Sequence, residues 1–123
     1  MISYGKQSID EKDINEVIKV LKSDWLTQGP SVDKFEAELA EYFGSNYACA
    51  VSNGTAALHL AGLALGWEKN DIIITSPITF LATANSILYC GASPKFADID
   101  PESFTIDPNN VEDISEKIDL LIN

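Results

Sequence analysis

Apolar residues along this chain change their spacing several times, and each change marks an element. Ile14, Val17, Ile18 and Leu21 recur at the helical period among charged residues, which predicts a helix over 10–22 capped by Ser8 or Asp10. A loop carrying Trp25 and Gly29 separates it from a second helix over 31–43, with Val32, Phe35 and Leu39 on one side and Gly44 as terminator. Beyond residue 45 the pattern alternates. Short apolar runs at 47–52, 71–75, 94–98 and 119–123 read as strands, and longer stretches at 54–65, 79–90 and 110–117 read as helices, with a loop over 100–108. Strand and helix alternating at crossover length imply right-handed parallel units in an α/β fold. No repeat, low-complexity tract or linker interrupts the chain. It is therefore read as one incomplete domain, 1–123, with a helical segment over 1–45 and a partial α/β domain over 46–123. Its last run, Asp119-Leu120-Leu121-Ile122-Asn123, is expected to enter a sheet whose remainder lies elsewhere, leaving an edge and an apolar face uncovered.

Two turns carry the candidate chemistry. The first is Ser52-Asn53-Gly54-Thr55-Ala56-Ala57-Leu58, between the strand and helix predicted around it. Asn53 can cap that helix, Gly54 lets a ligand approach the backbone, and Thr55 adds a hydroxyl beside main-chain N–H groups that lack intrahelical partners. Such a helix start favours an anion of phosphate size. The same residues equally describe a capped turn with no ligand. The second turn is Thr75-Ser76-Pro77-Ile78-Thr79-Phe80, where Pro77 breaks the chain before a new helix and Phe80 is expected early in that helix. In doubly wound sheets ligands gather at the carboxyl ends of the strands, so Phe80 is placed to cover a flat heteroaromatic ring; its alternative role is core packing.

Charge and composition remove other classes. With 19 acidic residues against eight basic ones the net charge is −11, and no basic stripe is present to meet nucleic-acid phosphates or anionic lipid. The apolar stretch over 56–67 is too short to span a bilayer, and the first residues show no secretory pattern, so a cytoplasmic location is expected. Cys49 and Cys90 are read as reduced, buried thiols. His59, the sole histidine, is read as a packed or partly exposed side chain, because no second metal-type residue accompanies it at useful spacing. Asp98 and Asp100 are read as turn formers, and Asp107-Pro108-Asn109-Asn110 as the cap of the next helix. There is neither a Gly-x-Gly-x-x-Gly fingerprint nor a Gly-Lys-Ser/Thr phosphate loop, which weakens an ordinary nucleotide-binding reading.

Several ordered motifs together carry a resemblance. They are Trp25-Leu26-Thr27-Gln28-Gly29-Pro30; Phe35-Glu36, Leu39-Ala40 and Tyr42-Phe43-Gly44; the runs over 52–60 and 77–85; and Gly91-Ala92-Ser93-Pro94 with Phe96-Ala97-Asp98-Ile99-Asp100. On these the chain resembles the DegT/DnrJ/EryC1/StrS family of nucleotide-sugar aminotransferases. The resemblance implies the N-terminal part of the large domain of an aspartate-aminotransferase-like fold (pyridoxal phosphate fold type I), a three-layer sandwich with mostly parallel strands. It implies pyridoxal 5′-phosphate as cofactor, held by Asn53, Gly54, Thr55 and Ala56 at its phosphate and by Phe80 on its ring. It also implies a sugar-nucleotide pocket near Tyr4, Thr27 and Gln28, and a homodimer. Thr79-Phe80-Leu81-Ala82-Thr83-Ala84-Asn85 looks like the branch that makes the 4-amino precursor of pseudaminic acid. The implied reaction moves an amino group from glutamate to a UDP-linked 4-keto-6-deoxy sugar, for surface-polysaccharide or flagellin-glycan sugars.

Pyridoxal chemistry needs a lysine amine to hold the aldehyde and shuttle protons, and an acid to keep the ring nitrogen protonated. The basic residues are Lys6, Lys12, Lys19, Lys22, Lys34, Lys69, Lys95 and Lys117, and none stands in the serine-preceded segment the family uses. Arginine, the two-pronged clamp for a carboxylate such as glutamate, is missing from the sequence. No catalytic residue is therefore assigned, and the chain alone is expected not to transaminate. The competing expectation is a non-catalytic partner that pairs with longer subunits.

Overall fold

The computed structural model describes the backbone of residues 5–122 and side chains as far as residue 118. The chain divides into two compact units, one ending at Ala50 and the next beginning at Val51.

The first unit holds α1 (Glu11–Leu21) and α2 (Pro30–Phe43). Asp10, rather than Ser8, starts α1: its carboxylate accepts from the N–H groups of Lys12 (2.7 Å) and Asp13 (3.1 Å), while the Asp13 carboxylate accepts from the Asp10 N–H (2.9 Å). Each side chain satisfies donors the helix cannot. α2 begins one residue earlier than its apolar pattern, because Pro30 fits the first helical position with no N–H to satisfy. Gly44 ends it at φ +63, a left-handed cap that residues with a Cβ adopt only at a cost.

Residues 47–51, predicted as most of a strand, form no strand and pair with no neighbour among the described residues. A strand exists only by hydrogen bonding to a neighbour, and the Ala50 N–H instead donates to Glu36 Oε1 at 2.7 Å. Periodicity reports an extended apolar run and says nothing about whether a partner is present.

The second unit contains α3 (Gly54–Ala64), β1 (Ile72–Thr75), α4 (Ala82–Tyr89), β2 (Ser93–Phe96) and α5 (Pro108–Ile122). β1 and β2 pair in parallel, Ile72 opposite Ser93 and Thr75 opposite Phe96, with α4 as the crossover, so the α/β reading holds. The small core lies where α4 meets this pair: Ala82, Ser86, Ile87, Ala92 and Ala97 are buried. α3 packs on α4 through Gly62, where an added Cβ would lie 2.5 Å from Trp67 Cε3 and 2.9 Å from Cys90 Sγ. Only glycine allows that approach.

Beyond end shifts of one or two residues, as at β2, which runs 93–96 where 94–98 was expected, three differences remain. α4 starts at Ala82, not 79, because the preceding Ser-Pro-Ile-Thr stretch closes on itself: Ser76 Oγ accepts from the Ile78 N–H (3.2 Å), and the Thr79 and Thr83 hydroxyls pair (2.9 Å). Phe80 therefore precedes the helix. The expected loop over 100–108 is stapled into a hairpin-like turn by an antiparallel Ile99–Ile106 bridge and by the Asp107 N–H donating to the Asp98 carbonyl (3.0 Å). Finally, one helix, α5, replaces the predicted helix over 110–117 and strand over 119–123. Val111, Ile114 and Ile118 recur at helical spacing from the Pro108 start, and residues 119–122 continue that helix. Asn123 lies outside the described residues.

Many large apolar side chains stay open to solvent, among them Trp25, Leu26, Phe43, Tyr47, Leu65 and Phe80, as expected for apolar faces left uncovered within this chain. Among the described residues no helix is long and apolar enough to cross a membrane.

Candidate functional site

The turn before α3 is capped by Asn53 as expected. Asn53 is extended (φ −170, ψ 169) and its Oδ1 accepts from the Ala56 N–H at 2.9 Å, while its carbonyl accepts from the Ala57 N–H at 3.2 Å. Among the described residues the N–H groups of Gly54 and Thr55 meet no acceptor. With the Thr55 hydroxyl they make a three-donor end to an eleven-residue helix, where the aligned peptide dipoles favour negative charge. The Ala56 N–H, by contrast, is already taken by the cap, so it meets an anion only if Asn53 turns away.

Among the described residues nothing requires glycine at position 54. Its φ lies outside the positive range, and a Cβ there would meet no heavy atom within 4 Å. At this position glycine keeps the helix end open to an approaching group.

Phe80 lies in the connection from β1 to α4, at the carboxyl end of β1. Its side chain is 77% exposed, which rules out the core-packing role within this chain and leaves a ring face available. The anion end and this ring belong to the same unit, on α3 and on the lead-in to the helix against which α3 packs. No hydrogen bond joins them among the described residues.

Thr27 and Gln28 are neighbours in the exposed loop between α1 and α2, with Gln28 at φ +47. They belong to the other unit. Tyr4 lies outside the described residues. His59 is half-buried with its ring edge-on to Tyr89 at 5.4 Å, so it packs as expected. Cys90 is half-buried, but Cys49, expected to be buried, is exposed, because the run that carries it has no neighbouring strand to cover it. Asp100 accepts from the N–H groups of Ser103 (2.7 Å) and Glu102 (3.1 Å), and Asp107 from that of Asn109 (2.9 Å), so both serve turns and caps. The Ser103 N–H, with further help from the Ser103 hydroxyl and Glu102, holds the Asp100 carboxyl below the usual carboxylate range.

Two polar links were not legible as such in the sequence: Glu36 to Ala50, and Thr79 to Thr83. The four-residue spacing of the two threonines was the only available signal.

The family model for the DegT/DnrJ/EryC1/StrS aminotransferase family matches residues 7–118. This chain belongs to the DegT/DnrJ/EryC1/StrS aminotransferase family. It is 46% identical over 111 residues to the spore coat polysaccharide biosynthesis protein SpsC of Bacillus subtilis, covering 90% of this chain and 28% of that protein. It is 50% identical over 99 residues to the UDP-4-amino-4,6-dideoxy-N-acetyl-beta-L-altrosamine transaminase of Campylobacter jejuni, covering 80% of this chain and 26% of that one. A Streptococcus pneumoniae protein described as a sugar aminotransferase, Spr1654, superposes in its PLP form with a TM-score of 0.85 at 30% identity, over 91% of this chain and 29% of that one. The chain thus spans little more than a quarter of the length of these curated relatives.

Pyridoxal phosphate is the cofactor of this family, and structures of its members hold it or its amine form. The residues of the DegT/DnrJ/EryC1/StrS chain fit part of that group. Gly54 and Thr55 suit the phosphate, and the open face of Phe80 suits the pyridine ring. All eight lysines are exposed, and none lies in either turn. The arrangement can hold and orient an anion; it offers no amine there to carry a proton.

Proposed function

We propose that this chain is the cofactor-phosphate portion of an enzyme that moves an amino group from glutamate to a UDP-linked 4-keto-6-deoxy sugar, supplying amino sugars for surface polysaccharide or flagellin glycan. The observation that carries the reading is the start of α3, where two N–H groups without an acceptor among the described residues share one helix end with a hydroxyl, at a glycine that nothing within this chain requires. The family match and the likeness to a protein named as an altrosamine transaminase support the choice of sugar and of the pseudaminic acid branch. Pyridoxal phosphate, when bound, supplies the electron sink for the reaction. The part taken by these residues is positioning: Asn53 orders the first turn of α3, Gly54 and Thr55 hold the phosphate, and Phe80 covers one face of the ring. Tyr4, Thr27 and Gln28 are assigned by the resemblance to the sugar nucleotide. The working enzyme is a cytoplasmic homodimer.

The test is amino transfer by the intact protein, loaded with pyridoxal phosphate and offered glutamate and a panel of UDP-4-keto-6-deoxy sugars. Formation of 2-oxoglutarate and a 4-amino sugar is expected. The same assay on the 123-residue polypeptide should give no product, because none of its lysines lies in the site. Failure of the intact protein to aminate any sugar of the panel would refute the substrate, and turnover by the short chain would refute the need for a further lysine.

A further inference from the structure

Phe80 presents an open ring, yet no neighbouring ring holds it: among the described residues the aromatic contacts are Tyr42 with Phe43 and His59 with Tyr89. A ring that must lie flat on a cofactor gains from a backbone fixed beforehand, since ordering it only on binding costs affinity. The structure shows where that fixing comes from. The Thr83 N–H donates to the Phe80 carbonyl at 3.0 Å, and the Thr83 hydroxyl pairs with the Thr79 hydroxyl at 2.9 Å, so one residue grips the chain on both sides of Phe80. Thr83 is held in turn. Its carbonyl accepts from Ser86 Oγ at 2.9 Å, and Ser86 is 3% exposed, beside the buried Ile87. Bonds from the Thr79 hydroxyl to the Thr83 hydroxyl, and from the Thr83 carbonyl to Ser86 Oγ, therefore tie the turn that carries Phe80 to the most buried part of α4. α4 lacks a side-chain cap, because the position before its first residue is Leu81, so the order of this turn comes from the Thr79–Thr83 bond and not from a cap.

We propose that Thr83 is a positioning residue for cofactor stacking: its hydroxyl, bonded to that of Thr79, fixes the Phe80 ring in the pose that covers the pyridine ring. The inference rests on the reading of Phe80 as the stacking residue. Removing the Thr83 hydroxyl leaves the N–H bond to the Phe80 carbonyl intact but frees the Thr79 side of the turn.

The experiment uses the intact protein with Thr83→Val, Thr83→Ser, Phe80→Ala and the double variant Phe80→Ala/Thr83→Val, titrated with pyridoxal 5′-phosphate and read by affinity and by visible circular dichroism of the bound cofactor. Having to order the freed turn only on binding predicts a roughly 5-fold weaker affinity for Thr83→Val, with Thr83→Ser within about 2-fold of the parent. The dichroic band should weaken in Thr83→Val and return in Thr83→Ser. In the Phe80→Ala background Thr83→Val should have no further effect, which a purely structural role would not produce. Equal losses with and without Phe80 would overturn the inference. Unchanged affinity and dichroism in Phe80→Ala would instead overturn the stacking role of Phe80 itself. Should Thr83→Val lower the melting temperature, Thr79→Val, which removes the same bond from the exposed side, repeats the test and decides it by the same criteria.

Discussion

Replacing Gly54 by alanine separates folding from ligand binding at the start of α3. The backbone there does not need glycine, and the added Cβ meets no heavy atom within 4 Å, so no clash is introduced. Alanine also restricts the unfolded chain, which at a compatible position raises stability by about 0.4–1 kcal/mol. Stability should thus stay level or rise. Binding should respond in the opposite sense. Side chains on a helix tilt toward its N-terminus, so the new methyl projects into the approach to the Gly54 and Thr55 N–H groups. A hydrogen bond to a charged acceptor is worth about 1.5–3 kcal/mol. Displacing the phosphate from only one of the two N–H groups then predicts affinity for pyridoxal phosphate weaker by about 10- to 100-fold. The assay pairs urea unfolding of the cofactor-free intact protein with a fluorescence titration of pyridoxal phosphate, inorganic phosphate serving as competitor. Unchanged affinity at unchanged stability would remove this turn as the phosphate seat. A fall in stability would show that the open space at Gly54 is filled in the intact protein.

Gly62→Ala tests the opposite situation, since its Cβ would press on Trp67 Cε3 at 2.5 Å and on Cys90 Sγ at 2.9 Å. Overpacking of about 1–3 kcal/mol should exceed the roughly 1 kcal/mol gained in helix propensity, lowering the urea midpoint; a raised midpoint would contradict the α3–α4 packing. At Asp100 the folded carboxyl titrates below its unfolded value, chiefly through the Ser103 N–H. That contribution is present above the unfolded value and is lost as pH falls through the folded one, so Asp100→Asn should flatten the acid loss of stability below about pH 4. Superimposable acid-unfolding curves for parent and variant would refute it.

The helices were legible because their signals are local. Asp10, Pro30 and Gly44 mark boundaries through their own side chains or backbone preferences, and α1 and α2 start and stop within a residue of where those signals point. The strands were legible only where a partner exists inside the chain. Ile72 to Thr75 pairs with Ser93 to Phe96, whereas Tyr47 to Val51, equally apolar, stays unpaired, and the Leu120–Ile122 run is helical. Short apolar runs are compatible with strand or helix, and neighbours distant in sequence decide between them.

The same division runs through the site. Asn53, Gly54 and Thr55 act through a helix end that the sequence specifies by itself, so cap, opening and hydroxyl sit where the motif put them. Phe80 depends on a turn whose shape comes from side-chain bonding, which the apolar pattern does not register, and the pattern accordingly placed the start of its helix at 79 rather than at Ala82. An exposed aromatic ring on a turn stapled by hydroxyls is costly to leave in water and of no use to the core of this chain. Trp25, Leu26 and Tyr47 are open in the same way, so exposure alone does not single out Phe80; under the reading proposed above a flat, anionic partner covers it and meets the start of α3.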